Sequence, residues 1–201
     1  YGLASSLRHW LHDRDAAWLP GEVSAGERAV VILLIVDGLG DRFLDTVGQG
    51  SALHGARRQT LTSVCPSTTA SAVTTLMTGV PPAVHGLNGW FIHDHRFGGV
   101  IAPLPLMQRC GPALEAFRLL PRLCPTPPMF HHACRPVNLV SPADIAFSRF
   151  SRHHARGAHI EPYKGLEDFG AAIVAMADAL AGSGGLIHAY YPTFDALSHT
   201  Y

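Results

Sequence analysis

Three short stretches of the sequence carry polar side chains that could do chemistry together. They contain Asp37 after an apolar run, Thr68 and Thr69 before a helix-like segment, and Asp195 and His199 four residues apart. A threonine hydroxyl at a helix start lies beside free N–H groups that attract phosphate, and it could attack phosphorus if a metal lowered its pKa. Asp and His four residues apart on a helix project from one face, and they are a common pair of zinc ligands.

Each of these residues also has an ordinary structural role open to it. Asp37 could cap a helix expected at 41–47, because Asp is a favoured N-cap residue. Threonine at a helix start is most often a cap as well. Asp195 and His199 taken alone would be a surface ion pair. Residue type and spacing therefore leave both interpretations open at all three places.

The segments around these residues alternate between strand and helix patterns. Residues 29–36 (AVVILLIV) are a continuous β-branched apolar run, typical of a strand buried on both faces of a parallel sheet. Residues 59–65 and 185–191 are further predicted strands, and helices are predicted over 70–78 and 169–182. This alternation predicts an α/β fold, with a mainly parallel sheet and helices on both faces. Ligands of such sheets bind at the carboxyl ends of the strands, where all three polar stretches fall.

Composition limits the class of protein and its partners. The 201 residues fit one domain or a large part of one, and 47% hydrophobic with 15% charged residues indicates a globular chain. Lys+Arg and Asp+Glu are balanced at 15 each, so no basic stripe favours nucleic acid and no polybasic patch favours a membrane surface. No apolar run reaches the roughly 18 residues of a membrane span. We predict a single α/β catalytic domain over residues 1–201, with the irregular range 90–165 as a candidate insertion over the site.

The order and spacing of the three stretches resemble the alkaline phosphatase superfamily, and within it the type I phosphodiesterase/nucleotide pyrophosphatase family. The matching segments are VVILLIVDGLG, CPSTTASAVTTLMTGVPPAVHGLNGW and IHAYYPTFDALSHTY. The middle segment is the most specific, because it holds the family's pattern at Pro66, Thr69, Thr78-Gly79, Pro82 and His85-Gly86.

The resemblance implies an alkaline-phosphatase-like fold, a two-metal site with zinc as the usual metal, and a covalent phosphoryl-threonine intermediate. Thr69 matches the nucleophile of the motif, and Thr68 does not. Asp37 matches a ligand of the metal that also holds the nucleophile, and Asp195 and His199 match ligands of the other metal. The implied activity is hydrolysis of a phosphodiester or pyrophosphate bond in a small-molecule or nucleotide substrate.

The sequence departs from the family pattern at two places. Relatives often have an asparagine after the His-Gly, where Trp90 stands here; Asn88 lies nearby and is a candidate contact to a phosphate oxygen. The family's remaining ligands, an Asp-His pair and a later histidine, follow the last strand. We therefore expect the natural protein to continue beyond Tyr201, with this chain as its N-terminal part and nearly inactive alone.

Other functions stay open at this point. A phosphomonoesterase, a phosphonate hydrolase or a phosphomutase of the same superfamily would share the core, and an inactive or purely binding domain is a further alternative. A sulfatase is disfavoured, because the Cys-x-Pro-x-Arg pattern is absent and Thr69 stands at the nucleophile position. The histidine clusters at 93–95, 131–132 and 153–154 are predicted to be loop-surface residues, and His85 to fix the loop after the nucleophile helix.

Overall fold

The computed structural model describes residues 1–20, 23–115 and 118–200, so Tyr201 lies outside the described part. The strands are β1 (Trp18–Leu19), β2 (Val23–Ser24), β3 (Val30–Val36), β4 (Ile92–Asp94), β5 (Gly99–Ala102), β6 (Met107–Gln108), β7 (Val137–Pro142), β8 (His159–Tyr163) and β9 (Gly185–Tyr191). The helices are α1 (Gly2–His12), α2 (Asp41–Thr46), α3 (Ala52–Ala56), α4 (Thr69–Thr78), α5 (Pro82–His85), α6 (Leu119–Leu123), α7 (Arg149–His154), α8 (Gly165–Leu180) and α9 (Thr193–Ser198), with a 3-10 turn at His95–Phe97.

The main sheet has four parallel strands in the order β3-β9-β7-β8. Strands β3 and β9 pair without a shift along their whole length, from Val30 opposite Gly185 to Val36 opposite Tyr191. Both strands consequently end at the same edge of the sheet, and the residues that follow them emerge side by side. The predicted α/β class and parallel sheet are confirmed.

Helices cover both faces of this sheet, as the pattern predicted. On one face, α1 and α4 share an apolar core with the sheet, including Trp10, Met77, Phe130, Leu139 and Leu186. On the other face, α8 packs its apolar side on β7, β8 and β9. Side chains alternate along each strand, so successive residues of β9 belong to different cores.

Strand β3 is less buried than its sequence predicted, because it is the edge strand of the sheet. Ile32 and Leu34 are 48% and 47% exposed, since α8 lies over the other three strands and leaves them uncovered. Residues 59–65, predicted as a strand, have no regular structure, and Leu61 is exposed. That prediction is wrong: the alternating pattern finds no partner strand in the described residues, so nothing offsets the entropy of ordering it.

The range 90–165 contains two kinds of structure. Strands β4, β5 and β6 form a small antiparallel sheet, whereas β7 and β8 are strands of the main sheet. The expectation of surface histidines fails at His154, which lies on α7 and is fully buried against Phe150. A histidine there packs as an aromatic side chain, which the pattern of the surrounding loop did not indicate.

Candidate active site

The two threonines at the start of α4 have different structural roles. Thr68 is the N-cap residue: its backbone is extended and its side chain accepts a hydrogen bond from the Ser71 N–H at 3.4 Å. Thr69 is the first helical residue and is half-buried. Within the described residues its hydroxyl makes no hydrogen bond, because Thr68 already fills the capping position. The helix ends at Gly79, whose φ of 72° is the left-handed conformation that glycine adopts without strain.

Asp37 follows β3 and is held by the neighbouring strand. Its N–H donates to the Tyr191 carbonyl at 3.0 Å, which extends the pairing with β9 by one residue. Its carboxylate accepts a hydrogen bond from the Tyr190 hydroxyl at 2.7 Å and another from the Gly38 N–H at 3.1 Å. It does not cap a helix, since α2 begins after Gly40 and has no side-chain cap. Burial and the bond to Asp37 raise the pKa of Tyr190, so its phenol stays a donor.

Gly38 brings Asp195 next to Asp37. Its φ is 76°, and a Cβ added to it would lie 2.9 Å from both Cα and Cβ of Asp195 and 3.0 Å from its Oδ1. Real Cβ atoms do not approach other atoms this closely, so only glycine fits between the end of β3 and α9. The short turn after β3 and the helix after β9 therefore bring two carboxylates to one edge of the sheet.

Asp195 on α9 and His199, the residue at the C-cap of that helix, lie close together, as their spacing predicted. The His199 Nε2 is 3.5 Å from an Asp195 carboxylate oxygen, with the two side chains 81% and 33% exposed. Asp195 faces inward and His199 lies on the outside of the helix end. The structure thus has the pair in ion-pair range at the surface.

Asp37, Thr69 and Asp195 line one cavity of about 850 Å³ at the carboxyl ends of the strands. Trp90 also lines it, whereas Asn88 and His199 are outside the lining. The charged side chains of its wall are three aspartates and one lysine: Asp37, Asp144, Asp195 and Lys164. The three separate stretches of sequence therefore meet in space, and they meet in an acidic cavity.

Two residues of β9 in the cavity wall were not predicted from the sequence. Tyr190 orients Asp37 through the hydrogen bond from its hydroxyl. His188, on the same strand, is 1% exposed. Burial lowers the pKa of His188 to about 4, so the imidazole is neutral at pH 7. Its Nε2 has no hydrogen-bond partner among the described residues. The available signal was a single histidine inside an otherwise apolar strand.

His85 fixes the loop after α4. Its Nδ1 accepts a hydrogen bond from the Leu87 N–H at 3.1 Å, so the ring proton is on Nε2 and is donated to the Thr75 hydroxyl at 3.1 Å. Burial lowers the pKa of His85 to about 4. A neutral imidazole with both nitrogens engaged ties α4 to the following turn and leaves no lone pair for a metal.

The donors in and beside the cavity are of a kind that binds divalent cations. The four predicted ligands supply two carboxylates, a hydroxyl and one imidazole, which are ligand types that zinc accepts. In the described part of the chain, no three His, Cys, Asp or Glu side chains are grouped so that they could hold a metal ion. The donors present therefore fit a cation in type, while their number falls short of the three protein ligands that a catalytic zinc ion usually has.

The chain is an α/β protein whose cavity lies at the carboxyl ends of parallel strands, which is where sheets of this kind bind their ligands. Residues 31–99 match the model of the family described as type I phosphodiesterase / nucleotide pyrophosphatase, which is the family that the motifs resemble. The matched range includes Asp37 and Thr69 and ends before Asp195. Comparison with curated proteins and with solved structures gave no match. The family match supports a hydrolase of phosphoric esters in general. Among the described helices, none is long and apolar enough to cross a membrane.

Proposed function

We propose that this protein is a metal-dependent hydrolase that cleaves phosphodiester or pyrophosphate bonds through a phosphoryl-threonine intermediate at Thr69. The observation that carries the proposal is that Asp37, Thr69 and Asp195 line one cavity, and that the Thr69 hydroxyl has no hydrogen bond to any described residue because Thr68 is the cap. The family match over residues 31–99 supports the same class of reaction.

Thr69 is well situated to attack a phosphoryl group. It is the first residue of a ten-residue helix, whose free N–H groups and partial positive charge lie at this end. In the reaction, a bond forms between the Thr69 oxygen and phosphorus, and the bond from phosphorus to the leaving oxygen breaks. The alcohol or phosphate leaves with the proton, and water later cleaves the threonine ester and restores the hydroxyl. The helix N–H groups stabilise the negative phosphoryl oxygens throughout.

The charge of the cavity is the argument for metal dependence. A phosphodiester anion entering it meets three aspartates and one lysine, so the wall by itself repels the substrate. We propose that Asp37 and Thr69 hold one divalent cation and that Asp195 and His199 hold another, with zinc as the metal that these ligand types favour. Two such cations, when bound, lower the pKa of the attacking hydroxyl and neutralise the leaving oxygen. Tyr190 keeps the Asp37 carboxylate oriented, as ligand-supporting residues do.

The test compares the two adjacent threonines. The chain is incubated with zinc chloride and either bis(4-nitrophenyl) phosphate or 4-nitrophenyl phosphate, and nitrophenol release is followed together with the mass of the tryptic peptide that contains Thr69. We expect slow, zinc-dependent cleavage of the diester and a phosphoryl adduct on Thr69. Turnover is expected to be slow because the donors described number fewer than three per ion.

Variants at Thr68 and Thr69 distinguish the loss of the nucleophile from the loss of the helix cap. Thr69→Ala should lose the adduct and lower the rate at least about a thousandfold, which is typical for loss of a nucleophile. The matched control Thr68→Ala removes a hydroxyl one residue away and should keep the adduct. Thr69→Ser should retain activity. Equal rates for wild type and Thr69→Ala would overturn the nucleophile assignment, and faster cleavage of the monoester would favour a phosphomonoesterase.

A further inference from the structure

One wall of the cavity comes from the small antiparallel sheet. Trp90 precedes β4, while Leu104 and Pro105 follow β5, and all three line the cavity. Ile145 lines the same cavity from the loop after β7. None of these four residues has a part in the reaction proposed above. Apolar surface from two different sheets therefore borders the space that also contains Thr69.

Trp90 differs from the other aromatic rings that line this cavity. Phe150, Tyr163 and His188 are at most 4% exposed, and each lies against another ring. Tyr190 is held by the hydrogen bond from its hydroxyl to the carboxylate after β3. Trp90 is 44% exposed, and it makes no aromatic, cation–π or hydrogen-bonding contact with any residue that the structure describes. A large ring left open in a cavity wall is a surface that a ligand would cover.

The surroundings of Trp90 suit a hydrocarbon ring better than a ring with polar edges. Leu104 and Pro105 have no side-chain donor or acceptor. Two serines of the wall, at the start of α7, are already engaged: Ser148 Oγ donates to Ser151 Oγ, which donates to a backbone carbonyl. A planar hydrocarbon group can therefore lie on the indole face without displacing a polar partner of these residues.

We infer that Trp90 binds an aryl group of the phosphoric ester, which stacks on the indole face while the phosphorus lies at Thr69. The inference rests on the proposed function for the position of the phosphorus, and it narrows the substrate class to aryl esters of phosphoric acid. Trp90 determines specificity through binding and takes no part in bond cleavage. Relatives with the resembled motif often have an asparagine at this position, so the ring surface is a departure of this chain from that pattern.

The test uses uncharged probes, so its outcome depends neither on metal binding nor on hydrolysis. Naphthalene-2-methanol and decahydronaphthalene-2-methanol have the same carbon skeleton, but only the first is planar and aromatic. In calorimetric titration of the full chain, we expect naphthalene-2-methanol to bind about two- to tenfold more tightly, which is the range for an aromatic pair. Adenosine, which has a planar ring with polar edges, should bind more weakly than naphthalene-2-methanol.

Two adjacent aromatic residues provide the variant and its matched control. Trp90→Leu removes the ring face, so it should abolish the preference and weaken binding of naphthalene-2-methanol about fivefold or more. Phe91→Leu changes a neighbouring ring that is 46% exposed and lies outside the cavity lining, so it should keep both affinities. An unchanged preference in Trp90→Leu, or equal binding of the two probes by the wild type, would overturn the inference.

A second measurement needs no substitution. The indole ¹H–¹⁵N resonance of Trp90 should shift when naphthalene-2-methanol is added, while that of Trp10 stays in place, because Trp10 is fully buried and its Nε1 donates to the Ala25 carbonyl. Absence of the Trp90 shift would refute the aryl site, and tighter binding of adenosine would refute the hydrocarbon class of the group. If the probes behave as expected while Thr69→Ala retains full activity, the aryl site stands and the proposed threonine mechanism fails.

Discussion

Acidification should destabilise this fold through its buried histidines. His85, His154 and His188 are each at most 1% exposed, and burial lowers the pKa of His154 to about 3 and those of His85 and His188 to about 4. In the unfolded chain all three titrate near the ordinary value of about 6.5. Between these values the unfolded state binds a proton that the folded state does not. Stability is therefore fully present above about pH 6.5 and is lost as the pH falls below it.

The size of the effect follows from the gap between the two states. One unit of pH is worth about 1.4 kcal/mol for each proton, so a fall to about pH 5 removes about 2 kcal/mol per histidine. The three residues together then remove about 6 kcal/mol, a large share of the stability of an ordinary domain. For a chain of this length, that should lower the melting temperature by about 12–24 °C between pH 7.5 and pH 5.

The assay is urea unfolding, followed by tryptophan fluorescence, at a series of pH values. His154→Leu removes one of the titrating groups and should reduce the loss between about pH 7.5 and pH 5 by about 2 kcal/mol, whatever its own effect at neutral pH. His93→Gln changes an exposed histidine and should leave the loss unchanged. The reasoning would be refuted if the free energy of unfolding were the same at both pH values. It would also be refuted if His154→Leu lost as much of this free energy on acidification as the wild type.

Three further changes test the geometry of the site. Thr68→Ala should lower the free energy of unfolding by about 1 kcal/mol through loss of the cap, measured by urea unfolding, with hydrolysis retained. Gly38→Ala should destabilise the fold by more than about 1 kcal/mol and abolish hydrolysis, because φ is 76° and the new methyl group collides with α9. Gly40→Ala is its control: with φ of −87° and open space around it, both readouts should stay near wild type. Tyr190→Phe removes the phenol that orients Asp37 and should weaken zinc binding about tenfold or more in a zinc titration. Unchanged zinc affinity there would argue against a metal at Asp37.

Local pattern was sufficient for the parts of the fold that depend on local interactions. The apolar run before Asp37, the cap and glycine stop around α4, and the long amphipathic α8 each have a signal within a few residues, and each is present close to its predicted bounds. The parallel α/β class followed from their alternation. The segment 59–65 failed because strand formation depends on a partner strand, and no short pattern contains that information.

The candidate site divides in the same way between sequence and structure. The sequence alone supplied the candidate side chains, since Asp37, Thr69, Asp195 and His199 were identified by type, spacing and resemblance to the family motif, and their chemical roles stay predictions. Only the tertiary structure decided that three of them share one cavity, because β3 and β9 end together and Gly38 lets α9 approach. It also decided which threonine is the cap, and it made His188 part of the cavity wall. These outcomes depend on distances between segments far apart in the chain, which are set by packing and register rather than by any local run of residues.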